Sequence, residues 1–222
     1  MSVSATHKQE TAAESPAMIN FAALEAAELQ RDPFDYLIVP NFLTPEVVAA
    51  VNSDYPQITG PANFKLEDID YGPAFADLVD ELSGPQLTRK MASKFEIDSP
   101  FDSTSITVRK FCEQTDGNIH VDHRTKIISM LVYFNETWNA DGGQLRVLRS
   151  PDDIEDYAAE VVPLAGTMVA FRRTDRSYHG HKRYVGERRM VQVAWIREGT
   201  LARQEKRLNR LTKPVRRLLN MS

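Results

Sequence analysis

After Ile97 the chain repeats one pattern. Short runs of β-branched and apolar residues alternate with turn residues. The runs are Ser105–Phe111, Lys126–Phe134, Gln144–Leu148, Thr167–Phe171 and Met190–Ile196. Asp116-Gly117-Asn118, Asp141-Gly142-Gly143, Gly166 and Gly186 separate them. Runs of this length between turn signals predict strands. Several such strands in succession must close into a barrel or stack as two sheets, since a lone sheet leaves an apolar face in water. Asp141-Gly142-Gly143 reads as a hairpin turn.

The segment before these strands reads as helical with one strand. Ile19–Gln30 suits a short helix, and Tyr36-Leu37-Ile38-Val39 a strand ending at Pro40. Thr44-Pro45-Glu46 predicts a helix start, with Thr44 as N-cap and Pro45 in the first turn, running to about Asp54. A further helix begins near Pro73, and Ser83-Gly84-Pro85 interrupts it.

The 222 residues therefore predict three parts. Residues 1–17, rich in Ala, Ser and Thr, read as a disordered tail with His7 as a bystander. Residues 18–196 read as one mainly β domain with flanking helices. Residues 197–222 read as a basic helical extension: eight Lys/Arg stand there against Glu198 and Glu205, while the rest of the chain is acidic. An acidic body argues against nucleic acid as a partner. The basic end is expected to dock on the chain's own body or on an acidic partner. The single cysteine, Cys112, excludes an internal disulfide and a multi-thiolate metal site. No apolar run reaches the roughly 18 residues of a membrane span. A cytoplasmic location is the expectation that follows.

The chemistry concentrates in two histidine pairs. The first reads His120-Val121-Asp122-His123 and the second His179-Gly180-His181. On a strand, i and i+2 share a face, so His120 and Asp122 can grip one ion. The third ligand is then His179 or His181. Two imidazoles and one carboxylate form the facial triad of non-haem Fe(II) oxygenases, with positions open for a co-substrate and O2. Downstream, Arg188 and Arg189 open the last strand, where a guanidinium can bind a dicarboxylate in bidentate fashion.

With these residues in hand, the chain resembles the Fe(II)- and 2-oxoglutarate-dependent dioxygenases, in particular their prolyl-hydroxylase-like branch. The resemblance covers roughly Val108 to Ile196. It rests on His120-x-Asp122, a downstream His179, Tyr133-Phe134-Asn135 with Gly142-Gly143-Gln144-Leu145, and Pro163-x-x-Gly166-x-x-x-x-Phe171. It implies a double-stranded β-helix, or jelly roll, with Fe(II), 2-oxoglutarate and O2 as cofactor and co-substrates. His120, Asp122 and His179 are implied as the metal ligands and catalytic centre, with His181 at the cavity rim or on substrate. Arg188 and Arg189 stand nine and ten residues after His179, both spacings the family uses. Gly186-x-Arg188 favours the first. The six residues from Arg189 to Trp195 favour the second, and Arg189 is the expected 2-oxoglutarate ligand, with Arg188 on the outer face. Tyr133 is a further candidate contact for the co-substrate.

The implied reaction is hydroxylation of an unactivated C–H bond in a small-molecule or peptidyl substrate, with 2-oxoglutarate converted to succinate. A non-catalytic or cupin-like jelly roll that binds a small molecule or sugar is the alternative. Against it, cupins usually present His-x-His with a nearby Glu where this chain has Asp122. The loops Ser150–Glu160 and Thr174–Tyr178 are expected to shape the pocket. His123 should point outward, Cys112 should be a buried small side chain, and Trp138 and Trp195 should serve the core.

Overall fold

The computed structural model describes residues 17–98 and 101–197. All but the last residue of the expected N-terminal tail, including His7, and the expected C-terminal helix after Arg197 lie outside the described residues. Among the described residues there are four α-helices, α1 (Phe21–Ala26), α2 (Pro45–Ser53), α3 (Pro73–Ser83) and α4 (Pro85–Lys94), and one 3-10 turn at Leu66–Asp68. Nine strands accompany them: β1 (Tyr36–Val39), β2 (Phe64–Lys65), β3 (Ser103–Cys112), β4 (Lys126–Tyr133), β5 (Leu145–Leu148), β6 (Tyr157–Val161), β7 (Met168–Arg172), β8 (His179–Gly180) and β9 (Gly186–Ile196).

The helix boundaries follow local chemistry. Pro45, Pro73 and Pro85 open α2, α3 and α4, where a missing N–H costs no hydrogen bond. Thr44 caps α2 by accepting from the Val47 amide. Gly84 ends α3 and caps α4, so the predicted interruption is a break between two helices.

All strand pairs are antiparallel. One sheet has the order β1-β7-β4-β9-β3-β2 and the other β6-β5-β8. The central strands divide their side chains between two cores. Ile128, Met130 and Val132 of β4 join Val191, Val193 and Trp195 of β9 beneath Leu78, Leu82, Leu87 and Met91 of the helices. The alternate residues Leu131, Tyr133 and Met190 face the small sheet and meet Leu145, Val147 and Val161. This two-residue alternation, with both faces covered, builds the expected jelly roll with helices against one face of the larger sheet.

Three local expectations need correction. Asp141-Gly142-Gly143 is not a hairpin turn, because β4 and β5 belong to different sheets and the segment crosses between them. Tyr157–Val161 is a strand paired with β5 rather than part of a loop. Its alternation was masked by Ala158, Ala159 and Glu160, which carry little apolar signal. The first helix spans Phe21–Ala26 only, its N-terminus capped by Asn20.

Candidate metal and co-substrate site

His120 and Asp122 lie on a connection between β3 and β4, not within a strand as expected. What fixes them is pairing with β8. The His120 amide donates to the His179 carbonyl and the His179 amide to the His120 carbonyl, each at 3.0 Å. β8 is held in turn by β5, where Val147 pairs with His179. The close approach requires glycine. A Cβ on Gly180 would meet the carbonyl oxygens of Gly117 and Asn118 at 2.9 and 3.1 Å.

This pairing brings one ligand atom each from His120, Asp122 and His179 within 4.8 Å of one another. His181 is not part of the cluster. Both clustered imidazoles are oriented from behind. His120 Nδ1 lies 2.9 Å from the Asn118 carbonyl and His179 Nδ1 lies 3.0 Å from the Ser177 carbonyl. A carbonyl can only accept, so each Nδ1 carries the proton and each Nε2 keeps its lone pair for a metal. Burial, reinforced by neighbouring His120, pushes the His179 pKa down to about 4, so the ring is neutral near pH 7. Burial alone would raise the Asp122 pKa. Lys126, His179 and the Ser129 hydrogen bond outweigh it and hold the carboxyl below its ordinary value. Two imidazoles and one ionised carboxylate are a donor set that fits Fe(II).

A cavity of roughly 320 Å³ opens beside these residues, lined among others by His120, His179, Leu131, Leu145, Arg188 and Met190. Of the two arginines, Arg188 lines it. Arg189 was the expected co-substrate ligand, but it shares the face of Val191, Val193 and Trp195, which the helices cover. It pairs with Glu187 and lies 5.6 Å over the Tyr55 ring, away from the cavity. Arg188 turns the other way and is 2% exposed. Its Nε donates to the Gly143 carbonyl at 2.7 Å, Nη2 to the Tyr133 hydroxyl at 3.3 Å, and Nη1 to the Met190 sulfur at 3.4 Å. No carboxylate among the described residues pairs with it. Gly143 has φ of +81°, and a Cβ there would strike Trp138 at 2.5 Å, so glycine lets this backbone reach the guanidinium.

The remaining candidates separate cleanly. His181 lines the cavity, with Nδ1 on the Lys182 carbonyl at 2.8 Å. Burial, then Arg188, lowers its pKa to about 4. His123 is exposed and meets Thr125, as expected. Cys112 and Trp195 are buried, and Trp138 packs on Tyr184 at 4.6 Å. Neither the Ser150–Glu160 nor the Thr174–Tyr178 segment lines the cavity. Asn63 and Thr115–Asn118 do so instead. Glu155 and Glu160 are engaged by Arg146. Of Arg109 and Lys110, strand residues of which the sequence offers one to the cavity, Arg109 lines it and pairs with Asp116 at 2.6 Å. Sequence reading missed Lys126 and Ser129, which hold Asp122. Ser129 had a signal: it is the one small polar residue in the apolar run Ile127–Phe134.

Residues 107–197 match the family described as 2OG-Fe(II) oxygenase superfamily. No curated protein matches the chain. Solved structures share the fold. A Pseudomonas putida prolyl-4-hydroxylase is 18% identical with a TM-score of 0.53, over 84% of this chain and 97% of that one. A prolyl 4-hydroxylase from Phytophthora capsici is 15% identical with a TM-score of 0.54, over 81% and 63%. A Trichoplax adhaerens prolyl hydroxylase in complex with a hypoxia inducible factor oxygen degradation domain peptide fragment is 14% identical with a TM-score of 0.53, over 84% and 90%.

Proposed function

From the match of residues 107–197 to the 2OG-Fe(II) oxygenase superfamily, we propose that this domain hydroxylates an unactivated C–H bond, with His120, Asp122 and His179 holding Fe(II) and Arg188 holding 2-oxoglutarate. The observation that carries the reading is Arg188. A guanidinium buried without a carboxylate partner is costly. A dicarboxylate entering the adjacent cavity supplies the missing charge.

Each residue then has a task. His120 and His179 present Nε2 lone pairs because their Nδ1 protons are committed to carbonyls. Asp122 supplies the anionic donor. Arg188 offers the N–H groups it does not use on Gly143, Met190 and Tyr133 to the far carboxylate, a charge-assisted pairing that also fixes orientation. The Tyr133 hydroxyl accepts from Arg188 Nη2 at 3.3 Å and so steadies the guanidinium from behind. Leu131, Leu145 and Met190 wall the cavity and exclude water. When bound, Fe(II) with 2-oxoglutarate and O2 supplies the oxidation: 2-oxoglutarate goes to succinate and CO2, and one oxygen atom enters the substrate C–H bond.

Likeness to prolyl hydroxylases makes prolyl peptides the first substrate class to test, with free small molecules second. The decisive experiment is an anaerobic titration of metal-free protein with Fe(II) and then 2-oxoglutarate. A weak visible charge-transfer band that needs both additions is expected. Its absence, with no iron retained, would leave the jelly roll as a binding module.

A further inference from the structure

Asp122 is held at both carboxylate oxygens and at its main-chain carbonyl. Lys126 Nζ donates to Oδ1 at 2.9 Å and the Ser129 hydroxyl donates to Oδ2, so both carboxylate oxygens are occupied. Arg173 Nε donates to the Asp122 main-chain carbonyl at 3.2 Å, and Asp175 pairs with that guanidinium. Asp122 is 7% exposed and Ser129 fully buried. Ser129 sits in β4, paired on one side with Phe171 and on the other with Ala194. Its hydroxyl is therefore a fixed reference point in the middle of the larger sheet.

The two donors are chemically different. Ser129 is neutral and fixes the rotation of the carboxylate. Lys126 brings a full positive charge against the oxygen of a metal ligand, and among the described residues it forms an ion pair only with Asp122. A neutral donor would orient Asp122 as well. A cation does something more: it withdraws charge from the carboxylate and repels a metal the more strongly the higher the metal's charge. A ferric ion is disfavoured relative to a ferrous one.

We infer that Lys126 is a positioning residue whose ammonium, acting through Asp122, biases the bound iron toward the ferrous state, while Ser129 sets the carboxylate's angle. This rests on the assignment of His120, Asp122 and His179 as the iron ligands. The consequence is protection: without 2-oxoglutarate or substrate, loss of one electron from Fe(II) to O2 leaves an idle ferric enzyme, and the cation opposes that loss.

The test compares iron-loaded wild type with Lys126→Gln, Lys126→Arg and Ser129→Ala in a mediated redox titration without 2-oxoglutarate, reading Fe(III) by electron paramagnetic resonance. Lys126→Gln keeps a hydrogen-bond donor and loses the charge. At a fixed potential it should raise the Fe(III)/Fe(II) ratio at least tenfold, a fall of about 59 mV in midpoint for one electron. Its iron should also oxidise faster in air. Lys126→Arg should restore the wild-type midpoint. Ser129→Ala should weaken Co(II) binding about 10-fold or more while moving the midpoint less than Lys126→Gln does. Equal midpoints for wild type and Lys126→Gln, both iron-loaded, overturn the inference and leave the proposed function standing. A wild-type protein that retains no Fe(II) overturns the ligand assignment and this inference with it.

Discussion

Replacing each arginine of the Arg188-Arg189 pair by lysine tests the central assignment, because the residues are adjacent in sequence and face opposite sides of the larger sheet. A guanidinium has five N–H groups. In Arg188 three are taken, by Gly143, Tyr133 and Met190. The remaining two, one on each terminal nitrogen, match the two oxygens of a carboxylate. Lysine at 188 keeps the charge but loses the fork and the 2.7 Å anchor to Gly143 that aims it. Losing one charge-assisted hydrogen bond costs about 1.5–3 kcal/mol, which is roughly 10- to 150-fold in affinity. Arg188→Lys should therefore raise the Kd for 2-oxoglutarate by that factor in the anaerobic titration, with iron affinity little changed. Arg189→Lys alters a guanidinium bonded to Glu187 and reaching Asn52 at 3.4 Å, on the helix-covered face. Its Kd for 2-oxoglutarate should stay within about threefold of wild type, well under the 1.4 kcal/mol of a tenfold change. A larger loss from Arg189→Lys than from Arg188→Lys would refute the assignment, because it would mean that β9 presents its other face to the cavity.

Other outcomes follow from the same geometry. Asp122→Ala should abolish iron-dependent turnover and iron retention while circular dichroism shows the fold intact; unchanged turnover would remove the triad. Gly180→Ala should push the Gly117 and Asn118 carbonyls away from β8, cost about 1–3 kcal/mol as an overpacked contact, and weaken metal binding because Asn118 orients His120; a Tm and a Co(II) affinity measure both. Asp116 carries a pH-dependent share of stability. Burial alone would raise its pKa, but the Arg109 hydrogen bond and charge and the Glu113 amide lower it. Its contribution, of order 0.2–1 kcal/mol for a partly exposed pair, is present above the unfolded-state value of about 3.9 and lost as pH falls through the lower folded-state value. Asp116→Asn should remove that part of the acid limb in a denaturation-versus-pH series.

Much of this molecule was determined by its sequence alone. Pro45 and Pro73 marked helix starts, and Ser83-Gly84-Pro85 marked the break after which α4 begins. β1 was legible over its whole length, Tyr36–Val39, because Pro40 stops it. The five apolar runs predicted a barrel or two stacked sheets, and the two histidine pairs with Asp122 predicted a metal-ligand cluster whose third member was His179 or His181. These are local signals: a proline, a period, a rare residue type at a short spacing. The tertiary structure decided the rest. β8 is two residues long and is a strand only because β5 and His120 pair with it; without that pairing His179 has no fixed distance from Asp122. Between Arg188 and Arg189 the local signal was thin, since both faces of β9 carry apolar residues. Val191, Val193 and Trp195 on one side and Met190 and Ala194 on the other are all buried. Gln192 is the one polar mark, on the Arg188 face beside the cavity, and the helices packed beneath the larger sheet determine which guanidinium reaches the cavity.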